Sequence, residues 1–313
     1  MANWTASDIP SQSGRTAVVT GTGGLGLQDA LALAQAGANV VIAGRNTSKG
    51  AAAVERIRQS VPSADVSFEA LDLASLDSIK AFCERLKRSH SSLDLLINNA
   101  AVMTPPKRLA TSNGFELQFG TNYLGHFALT ARLLPLLRKG NKPRVVSLSS
   151  LAARESAIHF DDLQSERAYK PMVAYSQSKL ACLMFAFELQ RRSEDEGWGI
   201  RSIAAHPGIS RTDLLPNGAG AWSAAGLARR CLWFLFQPAA QGALPTLFAA
   251  TSPQAQGGAY YGPDKLSELR GYPTTAKVPS QALDASNAAR LWSESEKLTG
   301  VIFGGGNQSV GAD

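Results

Sequence analysis

Tyr175 and Lys179 stand four residues apart in 174–180, AYSQSKL, inside a run that reads as helix. At that spacing two side chains share one face, a turn apart. A tyrosine hydroxyl ordinarily titrates near pH ~10 and needs a neighbouring cation to exchange protons near neutrality. A unit charge ~4 Å away, at an effective dielectric of ~20, is worth about 4 kcal/mol or roughly three pKa units. Lys179 is therefore expected to acidify Tyr175 and make it a proton donor or acceptor. The same spacing also occurs on helices that do no chemistry, so the pair gains meaning only from the elements that position it.

The first of these is 16–20, TAVVT, a short β-branched run that ends in Gly21, Gly23, Gly24, Leu25 and Gly26 before a helical pattern over 27–36. Gly21, Gly23 and Gly26 spell G-x-G-x-x-G between strand and helix. Glycines there let the backbone approach a pyrophosphate, whose charge meets the helix N-terminus. In such proteins a preference for NAD goes with an Asp or Glu at the end of the second strand, on the ribose 2′-hydroxyl. Here the second strand, 39–43, runs into Gly44, Arg45, Asn46 and Lys49. With no carboxylate to repel a 2′-phosphate and an Arg fork to hold it, the expected cofactor is NADP(H).

A helix over 49–59, a strand over 66–71 and a helix over 76–88 come next, with Asp72 and Leu73 at the expected adenine edge. The nearly all-apolar LDLLI, 93–97, suits a strand buried on both faces, and it turns at Asn98, Asn99 and Ala100. A long helix is expected over 115–137. It contains Asn122, a residue disfavoured in mid-helix unless its amide has a specific task. A strand over 144–148 delivers Ser149 and Ser150. The Tyr175 helix stops within 194–199, and a strand over 200–205 delivers His206, Pro207 and Gly208. A last strand over 257–261 and a helix over 284–298 close the chain. This alternation predicts a single doubly wound α/β domain of Rossmann type over 1–300, its mostly parallel seven-stranded sheet flanked by helices on both faces. The glycine-rich 301–313 reads as a flexible tail.

The 313 residues are 44% hydrophobic and 18% charged, as in a soluble globular chain. The formal charge of +6 is scattered, with no basic block, which argues against a nucleic-acid partner. Cys83, Cys182 and Cys231 are an odd number, far apart, without CxxC or a His cluster. They speak for a reducing compartment and against disulfides or a metal. The first residues, MANWTASDIPSQSGR, lack a signal-type apolar core, and no run of eighteen apolar residues occurs. A cytoplasmic protein with no transmembrane segment is expected. The greasiest patch, 231–236 (CLWFLF), is too short for a span; it could touch a membrane surface, though a pocket lining suits it better.

Thr20-Gly21 and the glycines after them, Asp72, Asn98-Asn99-Ala100, Asn122, Ser149-Ser150, Tyr175-x-x-x-Lys179 and Pro207-Gly208 together resemble the short-chain dehydrogenase/reductase family, over about 15–262. The resemblance implies a catalytic set of Asn122, Ser150, Tyr175 and Lys179. In it, hydride passes from the nicotinamide to a carbonyl carbon while Tyr175 protonates the oxygen and Ser150 orients it. Lys179 would also hold the nicotinamide ribose, Asn122 would anchor a water, and Asn98, Ala100, Pro207, Gly208 and Thr212 would border the cofactor. This chain departs from the family pattern in three places. Its glycine loop is one residue shorter than TGxxxGxG, Ala101 replaces the last glycine of NNAG, and Ser150 and Tyr175 stand 25 positions apart, about twice the usual gap. The long insert is similar to the branch that contains retinol dehydrogenases and light-dependent protochlorophyllide reductases, which implies NADPH and a bulky apolar substrate.

Substrate specificity is expected from a wall at 151–172 and a C-terminal lid at 213–237 that carries Leu214, Leu215, Trp222, Leu232, Trp233 and Phe234. These suit a bulky ketone, aldehyde or alcohol. Two other readings stand beside this one: reduction of a conjugated C=C bond, and a non-catalytic NADP sensor, against which an intact Ser150, Tyr175 and Lys179 weighs. His159 and His206, each without a partner in sequence, read as structural. Association through 115–137 and 173–192 leaves monomer and homodimer both open, because the insert could cover that face.

Overall fold

Val18, Val41 and Leu96 face one side of a parallel sheet and Ala17, Val19, Val40 and Ile42 the other, so these strands are apolar on both faces. The computed structural model describes residues 3–210 and 237–304. Among them the strands are β1 (Thr16–Thr20), β2 (Asn39–Gly44), β3 (Val66–Ala70), β4 (Leu95–Asn98), β5 (Arg144–Leu148), β6 (Arg201–Ala205), β7 (Tyr260–Lys265) and β8 (Arg270–Thr275). They form one sheet in the order β3-β2-β1-β4-β5-β6-β7-β8. One face packs on α1 (Gly24–Gln35), α2 (Thr47–Ser60) and, late in the chain, a helix at Ala239–Thr251. The other packs on α3 (Leu76–Ser89), α4 (Gly125–Leu137), α5 (Pro171–Asp195) and a closing helix at Ala285–Thr299. The two late helices are α6 and α7. From β1 the chain winds outward through β2 and β3, then returns to lay β4 on the other side of β1. That reversal opens a crevice at the carboxyl ends of the strands, where ligands of such sheets bind.

The sheet has eight strands where seven were expected. The extra strand, β8, is antiparallel to β7 and lies at the edge. Its sequence, RGYPTT, hid it: Pro273 lacks an N–H, and it stands opposite Pro263. Proline enters a sheet only where that missing donor is tolerated, as at an edge. Leu266, Ser267 and Glu268 turn the hairpin with φ of 51°, 54° and 68°, all left-handed. Helix α6 was also unexpected, since AAQGALPTLFAAT is apolar nearly all round and carries Pro245. Gly242 to Thr251 are all buried, so no polar face marks the period.

The expected helix over 115–137 begins later, and its first part is a π-helical turn, Phe119–Leu124, in which the Gly125 N–H reaches back five residues to the Gly120 carbonyl. The expected tail starts later as well. Val301 and Phe303 are buried, and the Phe303 ring lies 4.4 Å from Trp292 and 5.0 Å from Phe127. Trp292 of α7 also packs 5.1 Å from Phe127 of α4 and 5.8 Å from Phe185 of α5, under the Arg192 guanidinium at 4.4 Å. The closing helix therefore covers part of the α4 and α5 surface, a role the sequence suggested for the insert. Cys83 and Cys182 are buried free thiols. Cys231, the CLWFLF patch, Thr212 and all of the expected lid up to 236 fall outside the described residues. Among the described residues no helix is long and apolar enough to cross a membrane.

Candidate active site

Thr20 ends β1 and is fully buried, and its hydroxyl accepts hydrogen bonds from the Asn99 and Ala100 N–H groups at 2.9 and 3.0 Å. The Asn99 amide donates back to the Thr20 carbonyl at 2.7 Å. The glycine loop is thus docked on the Asn-Asn-Ala turn. Gly21 has φ 104°, and a Cβ there would lie 2.8 Å from Asn99 Nδ2. A Cβ on Gly26 would lie 2.6 Å from the same atom and 2.8 Å from the Gly21 carbonyl oxygen. Gly23 caps α1 and faces open space, with Gly24 and Leu25 starting the helix behind it. The shortened loop still presents a bare backbone and a helix N-terminus, a cradle that fits a dinucleotide pyrophosphate.

At the end of β2, Arg45 and Lys49 are exposed, and no carboxylate stands beside them in the turn. Asn46 works on the backbone: its side chain accepts from the Lys49 N–H at 2.9 Å and caps α2. Asp72 braces its own turn, accepting from the Ala74 N–H at 3.0 Å while its own N–H donates to Ser78 Oγ. Leu73 is buried, and its carbonyl lies where a Cβ on Gly125 would fall, so only glycine lets α4 approach so closely. Asn98 turns toward α4, donating to Thr130 Oγ1 at 3.1 Å, and its Oδ1 is a buried acceptor with no hydrogen-bond partner. Its neighbour Asn99, given no role of its own from sequence, holds the glycine loop.

Asn122 sits in the π-helical turn with its amide fully engaged. Its Oδ1 accepts from the Val102 N–H at 2.8 Å, and its Nδ2 donates to the Val102 carbonyl at 3.0 Å and to Ser178 Oγ at 2.9 Å. The amide therefore ties the segment after Ala100 to α5. The Asn122 carbonyl accepts from Cys182 Sγ and from His126 Nδ1, at 3.2 and 2.8 Å. A carbonyl cannot donate, so Nδ1 carries the proton, and Nε2 accepts from the Thr20 hydroxyl at 2.9 Å. Burial pushes His126 down to about 4, which keeps this neutral link intact near pH 7. His126 was missed, although it stands four residues after Asn122 on one helix face, a spacing that could have revealed it.

Ser149 donates to the Lys179 carbonyl at 2.8 Å, joining β5 to α5. Ser150 accepts from the Ala152 N–H at 3.2 Å and hydrogen-bonds the Tyr175 hydroxyl. Tyr175 and Lys179 are each 4% exposed, and Lys179 Nζ donates to the Leu148 carbonyl at 3.0 Å, 6.0 Å from the Tyr175 ring centroid. Fold and spacing thus bring Ser150, Tyr175 and Lys179 together at the carboxyl end of β5. In contrast to the expected acidification, burial pushes the Tyr175 phenol of the chain by itself up to about 12, and the Ser150 hydrogen bond opposes that only in part. Burial also lowers Lys179. Desolvation disfavours the charged form of both groups.

Beyond β6, Gly208 has φ 59°, and the Leu269 carbonyl occupies the place of its missing Cβ. The Pro207 carbonyl accepts from Ser210 Oγ at 2.9 Å and Gln237 Nε2 at 2.7 Å. His206 is fully buried and has a partner that sequence did not reveal, Glu268 at 2.9 Å, whereas His159 is exposed.

The family model described as short chain dehydrogenase matches residues 15–219. The chain belongs to the short-chain dehydrogenase family. This short-chain dehydrogenase is 38% identical over 302 residues to human polyprenol dehydrogenase, covering 94% of this chain and 88% of the relative. It is 39% identical over 308 residues to mouse retinol dehydrogenase 13, with 95% and 87% covered. A crystal structure of an uncharacterized protein from Mycobacterium paratuberculosis superposes with a TM-score of 0.80 at 39% identity, covering 96% of this dehydrogenase and 99% of that chain. Membership makes the protein an oxidoreductase that uses a nicotinamide cofactor, in a retinol dehydrogenase-like branch of the family.

Proposed function

We propose that the chain is an NADPH-dependent carbonyl reductase, acting as an alcohol dehydrogenase when NADP⁺ is in excess, on a bulky apolar ketone, aldehyde or alcohol. The observation that carries this reading is the Ser150–Tyr175 hydroxyl pair at the carboxyl edge of β5, with Lys179 one helical turn along. Bound along the glycine loop, the nicotinamide cofactor supplies the hydride. Tyr175, protonated near neutrality because of its burial, donates to the substrate oxygen as negative charge develops there. Ser150 shares that oxygen and fixes its direction. Lys179, held by the Leu148 carbonyl, supplies a fixed positive charge at the same edge and a donor for the ribose hydroxyls. Arg45, exposed beyond β2 with no acidic neighbour in the turn, would hold the 2′-phosphate. Relatives named for polyprenol and for retinol support a bulky apolar substrate. Tyr175→Phe tests the reading. Turnover of a ketone panel, followed by NADPH absorbance, is expected to fall about 10²–10⁴-fold with cofactor binding retained; unchanged turnover would remove Tyr175 as the donor.

A further inference from the structure

Glu268 lies in the β7–β8 turn, 62 residues from His206 in sequence, yet its carboxylate joins three segments that border the site. Its Oε2 accepts from His206 Nε2 at 2.9 Å and from Arg154 Nη2, and its Oε1 accepts from the Lys277 N–H at 2.9 Å. Arg154 follows Ser150 by one short 3₁₀ turn, Leu151–Glu155, and also donates to the Lys277 carbonyl. His206 immediately precedes Pro207 and Gly208. The Gly208 N–H donates to His206 Nδ1 at 3.2 Å, so Nδ1 is bare and Nε2 holds the proton that goes to Glu268. That single tautomer aims the Gly208 peptide.

Two glycines make room for the arrangement. A Cβ on Gly262 of β7 would collide with the His206 ring, and one on Gly208 would collide with the Leu269 carbonyl next to Glu268. The Ile209 N–H then bonds that same carbonyl at 2.8 Å. His206 is fully buried, while the Glu268 side chain is 18% exposed, so the pair is well shielded from water. A carboxylate with three donors on it is costly to disturb.

We propose that Glu268 is a positioning residue that acts through His206 to hold the Pro207-Gly208 turn in the shape that receives the cofactor. This rests on the proposed function, with the Pro207-Gly208 turn bordering the bound cofactor as the family resemblance implies. Glu268→Gln keeps the length of the side chain, but its one oxygen and one amide cannot serve His206, Arg154 and the Lys277 N–H together.

The test is titration of the parent protein, Glu268→Gln, His206→Gln and the double variant with NADPH and with NADH, read by cofactor fluorescence, with melting temperatures in parallel. Glu268→Gln and His206→Gln are each expected to weaken binding of the preferred nucleotide about tenfold, and the double variant no further, because both changes cut one linkage. Affinity within about twofold of the parent in a folded Glu268→Gln would overturn the proposal, as would losses that multiply in the double variant. Glu268→Ala, if it folds, should bind at least as weakly as Glu268→Gln. A parent that binds neither nucleotide overturns the proposed function itself. Persistent turnover in Tyr175→Phe overturns only the donor assignment and leaves these binding measurements to decide the role of Glu268.

Discussion

Tyr175 is 4% exposed, and at that depth ionising a phenol is costly, with Lys179 Nζ 6.0 Å from its ring centroid. Its hydroxyl is pushed up to about 12, and the protonated form dominates at neutrality. Carbonyl reduction, which consumes that proton, is expected to be flat between about pH 6 and pH 9. Alcohol oxidation needs the deprotonated form and should climb about tenfold per pH unit over the same range. Initial rates in both directions across one buffer series check this, and an oxidation rate already level by pH 8 would show a much lower Tyr175 value. Arg45 belongs to the same scale. Arg45→Ala should weaken NADPH binding about tenfold or more while barely changing NADH, measured by titration with both; equal losses would mean that the guanidinium reads no 2′-phosphate.

Among the elements, the π-helical turn carries the most information about the site. Within it the Asn122 amide clamps Val102 while the Asn122 carbonyl meets His126 and Cys182. A mid-helix Asn with a task was legible from sequence; the task itself was not, since Val102 and Ser178 reach it only in the folded chain. His126 is neutral in the fold and held down to about 4, whereas an unfolded histidine protonates near pH ~6.5. As pH falls through that window the unfolded chain takes up the proton first, so stability is lost, by up to about 3 kcal/mol from this group. Urea midpoints at pH 7.5, 6 and 5 should show the loss. His126→Gln should be less stable at pH 7.5 yet lose less on acidification, and parallel losses in the two proteins would place the acid sensitivity elsewhere.

For the molecule as a whole, the C-terminal helix and Phe303 close the α4–α5 side through an aromatic cluster of Phe127, Phe185, Trp198, Trp292 and Phe303. Phe303→Ala removes a ring buried on all but 8% of its surface and should cost about 3 kcal/mol in denaturant unfolding. A change under about 0.5 kcal/mol would mean that the ring is not seated there. The same covering bears on assembly, because surface occupied by α7 is not available to a second chain.

Local spacing by itself determined the strand–helix alternation, the glycine turn, the Tyr175–Lys179 face and the absence of an acidic residue beyond β2. Each depends on neighbours within a few positions, where periodicity and backbone sterics act directly. Only the tertiary structure decided the rest. Proline-bearing β8 became a strand by pairing at an edge, and a tail read as loose delivered Phe303 into the core. His206 gained a hydrogen-bonding partner from a distant hairpin, and Tyr175 sits at a depth that disfavours its charged form. Desolvation and long-range pairing depend on what the folded chain stacks around a group, and no spacing within a short stretch encodes them.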